Sequence, residues 1–468
     1  MGGKVSSKAC LVSYTILLSS CHMTRTSLPR LSPLANAYSA FEDLNIVPRL
    51  LMGPGPINAD PRVLKAMSTQ LLGQFDPQFR RMMRETMALY RTFFETRNDW
   101  TLVLDGTARA AIEMVMLSAI EPGQKVLVCS FGRFGQLLNE IAQRCGAEVR
   151  VLQAPWGTVF ELAQIEVALK EFSPKLVAVC QGDTSTTMLQ PLEGLGELCH
   201  RYGAMLQVDA TASCGGTPLP ADAWQVDAVT AGLQKCLAGP SGAAPITLSD
   251  AMARTIYTRR HIEDGLRPAN YVAGPGMRIA SNYMDLAMVM DYWSDAGLNH
   301  HTEATTMLYG ARECARIFVD EGLPQAYARH AAASRAVVAG LQAMQLKLYG
   351  DVAHKMPNVT GVYVPDGLNG DKLRAALLDD FNIEIGTSFG PLHGKVWRIG
   401  AMGYNARLDC VLQTLGALET VLAAEGHRFS RGAGVDAAYA AYKTEQGCPA
   451  RAGLRRAGGL GLALKSQR

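Results

Sequence analysis

The chain has 468 residues, 48% of them hydrophobic, a formal net charge of +3 and 11 cysteines. Such a length accommodates two domains, and the near balance of charge gives the body of the chain no footprint for nucleic acid. The cysteines run from Cys10 to Cys448 with no C-x-x-C pair and an odd total. That suits neither a disulfide framework nor a zinc site, so a reducing, cytoplasmic setting without a bound metal is expected.

Residues 1–48 stand apart from the rest. Lys4 and Lys8 precede an apolar run from Ala9 to Leu18, and Leu18-Ser19-Ser20-Cys21 has the form of a lipoprotein cleavage box. The run is short, and the favoured reading is an extension that is disordered or lies upstream of a true start at Met23. No stretch of 18 apolar residues occurs, so no spanning helix and no membrane partner are expected.

From Arg49 to Pro61 the chain is rich in Gly and Pro and reads as an extended arm, with Asp60-Pro61 placed to start a helix over 63–72. A second helical pattern covers 79–96. A short strand, Thr101 to Leu104, then ends at Asp105-Gly106-Thr107-Ala108-Arg109, where a helix begins at once. Strand, small-residue turn and helix start make an anion site, because unpaired N–H groups and the positive end of the helix dipole meet there.

Strand-like runs follow at 125–129, 148–152, 176–180, 204–208 and 228–231, with helical stretches between them. The alternation predicts repeated crossover units and an α/β fold with a largely parallel sheet. Past Gly242 the pattern predicts a helix over 249–260, a Gly/Pro-rich loop over 268–276 and a long helical run from 282 past 301. Three further strands, 359–364, 383–385 and 396–399, with helices at 372–380 and 409–424, suggest a smaller α+β unit. The expected organisation is a large domain over 49–293, a small one over 294–425 and a basic, disordered tail over 426–468.

Two of the strands end in chemistry. Asp209 closes one and Lys235 follows the next, and in an open α/β sheet ligands lie beyond the carboxyl ends of the strands. Pyridoxal 5'-phosphate wants that pair: a lysine to hold its aldehyde as a Schiff base and a carboxylate to keep its pyridine nitrogen protonated. Taken alone, the two residues are equally a helix-capping Asp and a surface Lys.

Over roughly residues 50–425 the chain resembles the class V aminotransferases of the fold-type I pyridoxal-phosphate superfamily. The likeness rests on Leu51-Met52-Gly53-Pro54-Gly55-Pro56, Asp105-Gly106-Thr107-Ala108-Arg109, Leu189-Gln190-Pro191, Val208-Asp209-Ala210-Thr211-Ala212-Ser213, Gly232-Leu233-Gln234-Lys235 and Lys395-Val396-Trp397-Arg398-Ile399-Gly400. It implies a mostly parallel seven-stranded sheet with a small C-terminal α+β domain, and a homodimer with its active sites at the interface.

The resemblance assigns Lys235 to the Schiff base and Asp209 to the pyridine nitrogen. Thr107, Ala108 and Gln234 take the phosphate, Thr184 the phenolic oxygen, and Phe134 and Arg109 the ring. Arg398 falls where the family grips the substrate carboxylate. Tyr271, in the 268–276 loop, is a candidate for the neighbouring subunit's phosphate. Within the family the likeness is greatest to enzymes that use (S)-ureidoglycine and glyoxylate, where Gln74 and Asn282 would read the polar side chain. Other amino donors, alanine or serine, remain open alternatives. A cysteine desulfurase is disfavoured because Gln234, and not a histidine, precedes Lys235. A non-enzymatic cofactor-binding regulator is disfavoured because no helix-turn-helix pattern precedes the body.

Overall fold

The computed structural model describes residues 44–444, and the compact body begins at Pro48. The apolar run at 9–18, the Met23 start and the basic end of the tail at 445–468 lie outside the described residues.

The arm leads into two helices, one of 7 residues and one of 17, that the sequence starts in the same way. Asp60 and Asp76 each accept a hydrogen bond from the residue two further on, and Pro61 and Pro77 occupy the first helical position, so α1 covers Pro61–Met67 and α2 Pro77–Phe93. Helix α1 stops earlier than its apolar pattern suggested.

Seven strands then build the central sheet: β1 Trp100–Asp105, β2 Lys125–Ser130, β3 Glu148–Gln153, β4 Leu176–Cys180, β5 Met205–Asp209, β6 Ala228–Thr230 and β7 Ala243–Leu248. Their order is β1-β7-β6-β5-β4-β2-β3. All neighbours run parallel except β7, which is antiparallel to both β1 and β6. Strands β4, β5 and β7 are buried along their whole length, whereas β3 at the edge is half-exposed. Helices α3 (Ala108–Ala119), α4 (Arg133–Arg144), α5 (Leu162–Phe172), α6 (Leu195–Arg201), α7 (Asp250–Tyr257), α8 (Leu286–Trp293) and α9 (Thr305–Glu321) accompany this sheet.

Residue patterning alone missed β7, which carries Pro245 in a central strand, a residue that normally argues against one. The carbonyl of Pro245 accepts from Ala231 N at 2.9 Å, just beyond Thr230, where the β6–β7 ladder ends. The missing N–H therefore falls where no ladder bond is lost.

A second core lies behind the arm. Strands β8 (Val359–Tyr363), β9 (Gly386–Thr387) and β10 (Val396–Gly400) form an antiparallel sheet in the order β8-β10-β9. It packs with α10 (Leu323–Ala343), α11 (Gly370–Phe381) and α12 (Leu408–Ala424) around Val337, Leu341, Trp397, Ile399 and Leu415.

Two expectations need correction. The helical run from 282 past 301 is broken between α8 and α9, where Gly297 has φ +56° and the chain turns. The tail expected to be disordered from 426 instead forms a helix, α13 (Ala433–Lys443), against α10 and α12. Its start is held by the carboxylate of Glu419, which accepts from Gly432 N at 2.8 Å and Gly434 N at 2.7 Å. Close approach depends on small residues: a Cβ on Gly340 of α10 would sit 2.8 Å from the Gly434 carbonyl oxygen. Ala and Gly pack here by lacking bulk, so no strong apolar stripe announced the helix.

Candidate active site

Asp209 at the end of β5 stands in register with Thr230 at the end of β6, and Lys235 follows Thr230 after one short turn. Both side chains are buried. Asp209 Oδ1 accepts from Thr211 N at 2.9 Å, but Oδ2 has only the Cys180 thiol at 3.6 Å. Burial pushes the Asp209 pKa up. A carboxylate in that position favours its charged form only when a cationic donor faces its free oxygen.

Lys235 Nζ donates to the carbonyl of Pro54 in the arm. Burial, and then the nearby Arg398 guanidinium, bring its pKa down to about 8. The arm can lie this close because position 55 is glycine: it adopts φ +101°, and a Cβ there would meet Lys235 Nζ at 2.4 Å. The arm is in turn pinned to the second core. Leu50–Leu51 pair with Ile383–Glu384, and Met52 O accepts from Gly400 N at 2.8 Å.

Arg398 comes from β10, between Gly361 of β8 and Gly386 of β9. Its Nε donates to Thr387 O at 2.8 Å, its Nη1 donates to Thr184 O at 3.1 Å, and the Phe389 ring lies 4.6 Å from its guanidinium carbon. Burial lowers its pKa to about 10, and no carboxylate among the described residues lies within ion-pair distance. A desolvated, unpaired guanidinium next to a desolvated amine is a costly arrangement that an anionic ligand relieves.

Helix α4 brings Phe134 to the same place. Gly132 cannot cap that helix, so the buried Asp183 does: its carboxylate accepts from Phe134 N at 2.9 Å, Gly135 N at 3.3 Å and Ser185 Oγ at 2.6 Å. A Cβ on Gly132 would lie 2.4 Å from that carboxylate. Phe134 meets Phe389 edge-on at 6.5 Å.

Thr107, Ala108, Arg109, Phe134, Thr184, Asp209, Gln234 and Lys235 all line one cavity of about 240 Å³. A larger cleft of about 570 Å³, bordered by Gln70, Arg81, Glu85 and Arg312, holds only ordinary surface pairing such as Arg312–Glu85 at 2.8 Å.

The polar groups of the smaller cavity want a ligand of particular chemistry. Thr107 is the N-cap of α3 but its hydroxyl makes no capping bond, which leaves the helix start open to an anion. Gln234 Oε1 and Thr211 Oγ1 are buried without partners. Gly232 keeps that corner open, since a Cβ there would meet Gln234 Oε1 at 2.6 Å and Ala108 Cβ at 3.1 Å. A phosphate for the helix start, a protonated ring nitrogen for Asp209 Oδ2 and a carbonyl carbon for Lys235 satisfy these groups together.

Gln74, Asn282 and Tyr271 do not reach this cavity within the chain. Gln74 Nε2 is 3.4 Å from Asn299 Oδ1, and its Oε1 is buried without a partner. Asn282 is exposed and donates to the Glu263 carboxylate. Tyr271 Oη accepts from Ile262 N at 3.1 Å and donates to Arg260 O at 3.3 Å. The sequence reading also assigned no role to Pro54, Gly55, Thr211, Asp183 and Phe389. Pro54, Gly55 and Thr211 sit inside segments singled out for their neighbours, and Asp183 precedes Thr184; Phe389 carried no signal, because only folding sets it beside Arg398.

The fold and cavity define a pyridoxal-phosphate enzyme of fold type I. The aminotransferase class-V family model matches residues 58–395, and the chain belongs to that family. It is 48% identical over 397 residues to the (S)-ureidoglycine–glyoxylate transaminase of Bacillus subtilis (strain 168), spanning 84% of this chain and 95% of that protein. The crystal structure of ureidoglycine–glyoxylate aminotransferase from Bacillus subtilis superposes with a TM-score of 0.81 at 46% identity, covering 86% of this chain and all of that one. Alanine–glyoxylate aminotransferase of Callithrix jacchus is 35% identical over 386 residues, or 82% of this chain and 89% of that protein. The cofactor is pyridoxal 5'-phosphate, and the substrates are small molecules.

Proposed function

We propose that the enzyme transfers the amino group of (S)-ureidoglycine to glyoxylate, giving glycine, by a ping-pong route in purine nitrogen breakdown. The observation that carries the choice of donor is the 48% identity to a ureidoglycine–glyoxylate transaminase, against 35% to an alanine–glyoxylate enzyme over a similar span.

When bound, pyridoxal phosphate supplies an aldehyde that links to amines and a pyridinium ring that delocalises the electron pair left on the substrate carbon. The chain's own residues do the rest. Thr107, Ala108 and Gln234 hold the phosphate, with the dipole of α3 behind it. Asp209 keeps the ring nitrogen protonated, Thr184 faces the phenolic oxygen, and Phe134 and Arg109 cover the ring. Arg398 takes the substrate carboxylate in a two-pronged grip. With the cofactor bound, Lys235 Nζ would take the proton from the substrate α-carbon and deliver it to the former aldehyde carbon; a pKa of about 8 lets one amine serve as base and acid near neutral pH.

Gln74 and Asn282 read the carbamoylamino group of the donor, and Tyr271 reaches a phosphate, from the second copy of a homodimer. Their distance from the cavity of their own chain and the exposure of Thr107 and Arg109 support that reading. The enzyme works in the cytoplasm: the eight cysteines among the described residues are all buried as free thiols, and no described helix is long and apolar enough to cross a membrane.

The decisive experiment is a half-reaction followed by absorbance. The pyridoxal form is mixed separately with freshly generated (S)-ureidoglycine, L-alanine and L-serine, and conversion to the pyridoxamine form is timed. Fast conversion by ureidoglycine alone is expected; faster conversion by alanine or serine would overturn the donor while leaving the chemistry intact.

A further inference from the structure

Strand β1 ends at Asp105, immediately before the turn that opens α3. Against it pack His300, His301 and Glu303, from the stretch between α8 and α9. The ring hydrogen bonds fix how the two histidines face. His300 Nε2 lies 3.2 Å from the carbonyl oxygen of Asn282, which can only accept, so Nε2 carries the proton. A neutral imidazole has one proton, which leaves His300 Nδ1 as an acceptor. His301 Nδ1, 2.7 Å away, must therefore donate to it.

Nε2 of His301 is then turned toward two carboxylates, 3.1 Å from Asp105 Oδ2 and 3.8 Å from Glu303 Oε2. As a lone pair it would face like charge on both sides. Glu303 is only 4% exposed, and its Oε2, His301 Nε2 and the hydroxyl of Tyr292 are all buried without a hydrogen-bond partner. The Tyr292 ring lies 5.1 Å from that of His301. A void of about 10 Å³ lies beside the cluster, bordered by Asp105, His300 and His301 and otherwise by apolar side chains such as Leu104 and Trp293, but not by Glu303.

The arrangement requires positive charge among three donors. Two protons, one on His301 and one on Glu303, would supply it, and so would one metal ion. The donor atoms of Asp105, His301 and Glu303 lie within 4.8 Å of one another, so a side-chain shift of a few tenths of an ångström brings them onto one ion with bonds of about 2.0–2.2 Å. Imidazole nitrogen with carboxylate oxygens is a first-row transition-metal set, and two carboxylates neutralise a divalent charge. The second ring nitrogen is already oriented by a hydrogen bond relayed to a backbone carbonyl, as ligating histidines require.

We propose that Asp105, His301 and Glu303 bind a divalent first-row transition-metal cation, Zn²⁺ or Mn²⁺, which ties the end of β1 to the stretch before α9. The ion takes no part in the transfer of nitrogen. It holds in place the turn from which α3 starts, and its donors are assigned without reference to the identity of the amino donor.

The test uses the full, untagged, cofactor-loaded chain, stripped with EDTA and then dialysed against Zn²⁺ or Mn²⁺. Metal content after desalting and the thermal midpoint are read for wild type and for Glu303→Gln, which keeps the shape and removes the charge. Wild type should retain about one equivalent per chain and gain about 2–4 °C at saturating metal. Glu303→Gln should retain none and show no gain. Equal metal content in the two proteins, or none in either, would overturn the proposal and assign the positive charge to protons. Should the variant fail to fold, wild type decides alone: an unchanged midpoint and no bound metal after loading would overturn it.

Discussion

Asp209, Lys235 and Arg398 are each nine-tenths or more buried and held by bonds to the backbone; Asp209 and Lys235 line one cavity, and Arg398 donates to the carbonyl of Thr184, which lines it too. Gln74, Asn282 and Tyr271 sit on connecting segments, partly or fully exposed, and bond to neighbours away from it. The first region is built for reaction: removing water makes the carboxylate, amine and guanidinium costly to leave unpaired, and each cost is met by one part of a cofactor or substrate. Under the function proposed above, Gln74 and Asn282 of this second region serve the choice of donor, completed by a second copy of the chain. On that proposal, reaction type and donor selectivity belong to separate parts of the molecule.

The largest effect should come from the reactive centre. Lys235→Ala should lower turnover by at least about 10⁴-fold and abolish the absorbance signature of the linked cofactor, because it removes both the attachment and the proton carrier. Substantial turnover without added amine would break the assignment. Next, Arg398→Ala should cost about 10²–10³-fold in kcat/KM for every amino donor alike, the worth of two charge-assisted hydrogen bonds. A loss confined to one donor would place the carboxylate elsewhere.

Gln74→Ala and Asn282→Ala sharpen the contrast between the regions. Each should lower kcat/KM for (S)-ureidoglycine by about 10–100-fold and leave the slow half-reaction with L-alanine unchanged. Equal losses for both donors would show that these residues support the fold instead of reading the side chain.

The smallest effect is on stability. A lysine whose pKa falls from 10.5 to about 8 on folding opposes the folded state below about pH 8, where it must still carry its proton in the buried site. That penalty fades as the pH rises toward 10.5, since the unfolded chain then binds the extra proton. Cofactor-free wild type should therefore gain about 2–4 kcal/mol over Lys235→Met between pH 8 and 10.5, measured by denaturant titration. Parallel pH profiles would mean that the amine finds water in the folded protein.

Much of the reactive region was legible before folding, because strands end where their apolar runs end and the sheet rule puts Asp209 and Lys235 on one side. The seams were not. Strand β7 was hidden by Pro245, which is tolerated because its missing N–H lies past the end of β6. Helix α13 was hidden by its small residues, whose use is visible only against Gly340 and Glu419. The cluster of Asp105 with His301 and Glu303 gave no metal signal, since Asp105 is far in the chain from the other two and their spacing fits no metal motif.

By itself the sequence determined the alternation of elements, the helix starts at Asp60-Pro61 and Asp76-Pro77, and the chemical types at the strand ends, because all of these depend on neighbours along the chain. Tertiary structure decided how acidic or basic those groups are and what they face. The arm over Lys235, the Phe389 ring beneath Arg398 and the two carboxylates around His301 are contacts between distant segments, and burial, which sets the cost of charge, exists only once those segments have packed.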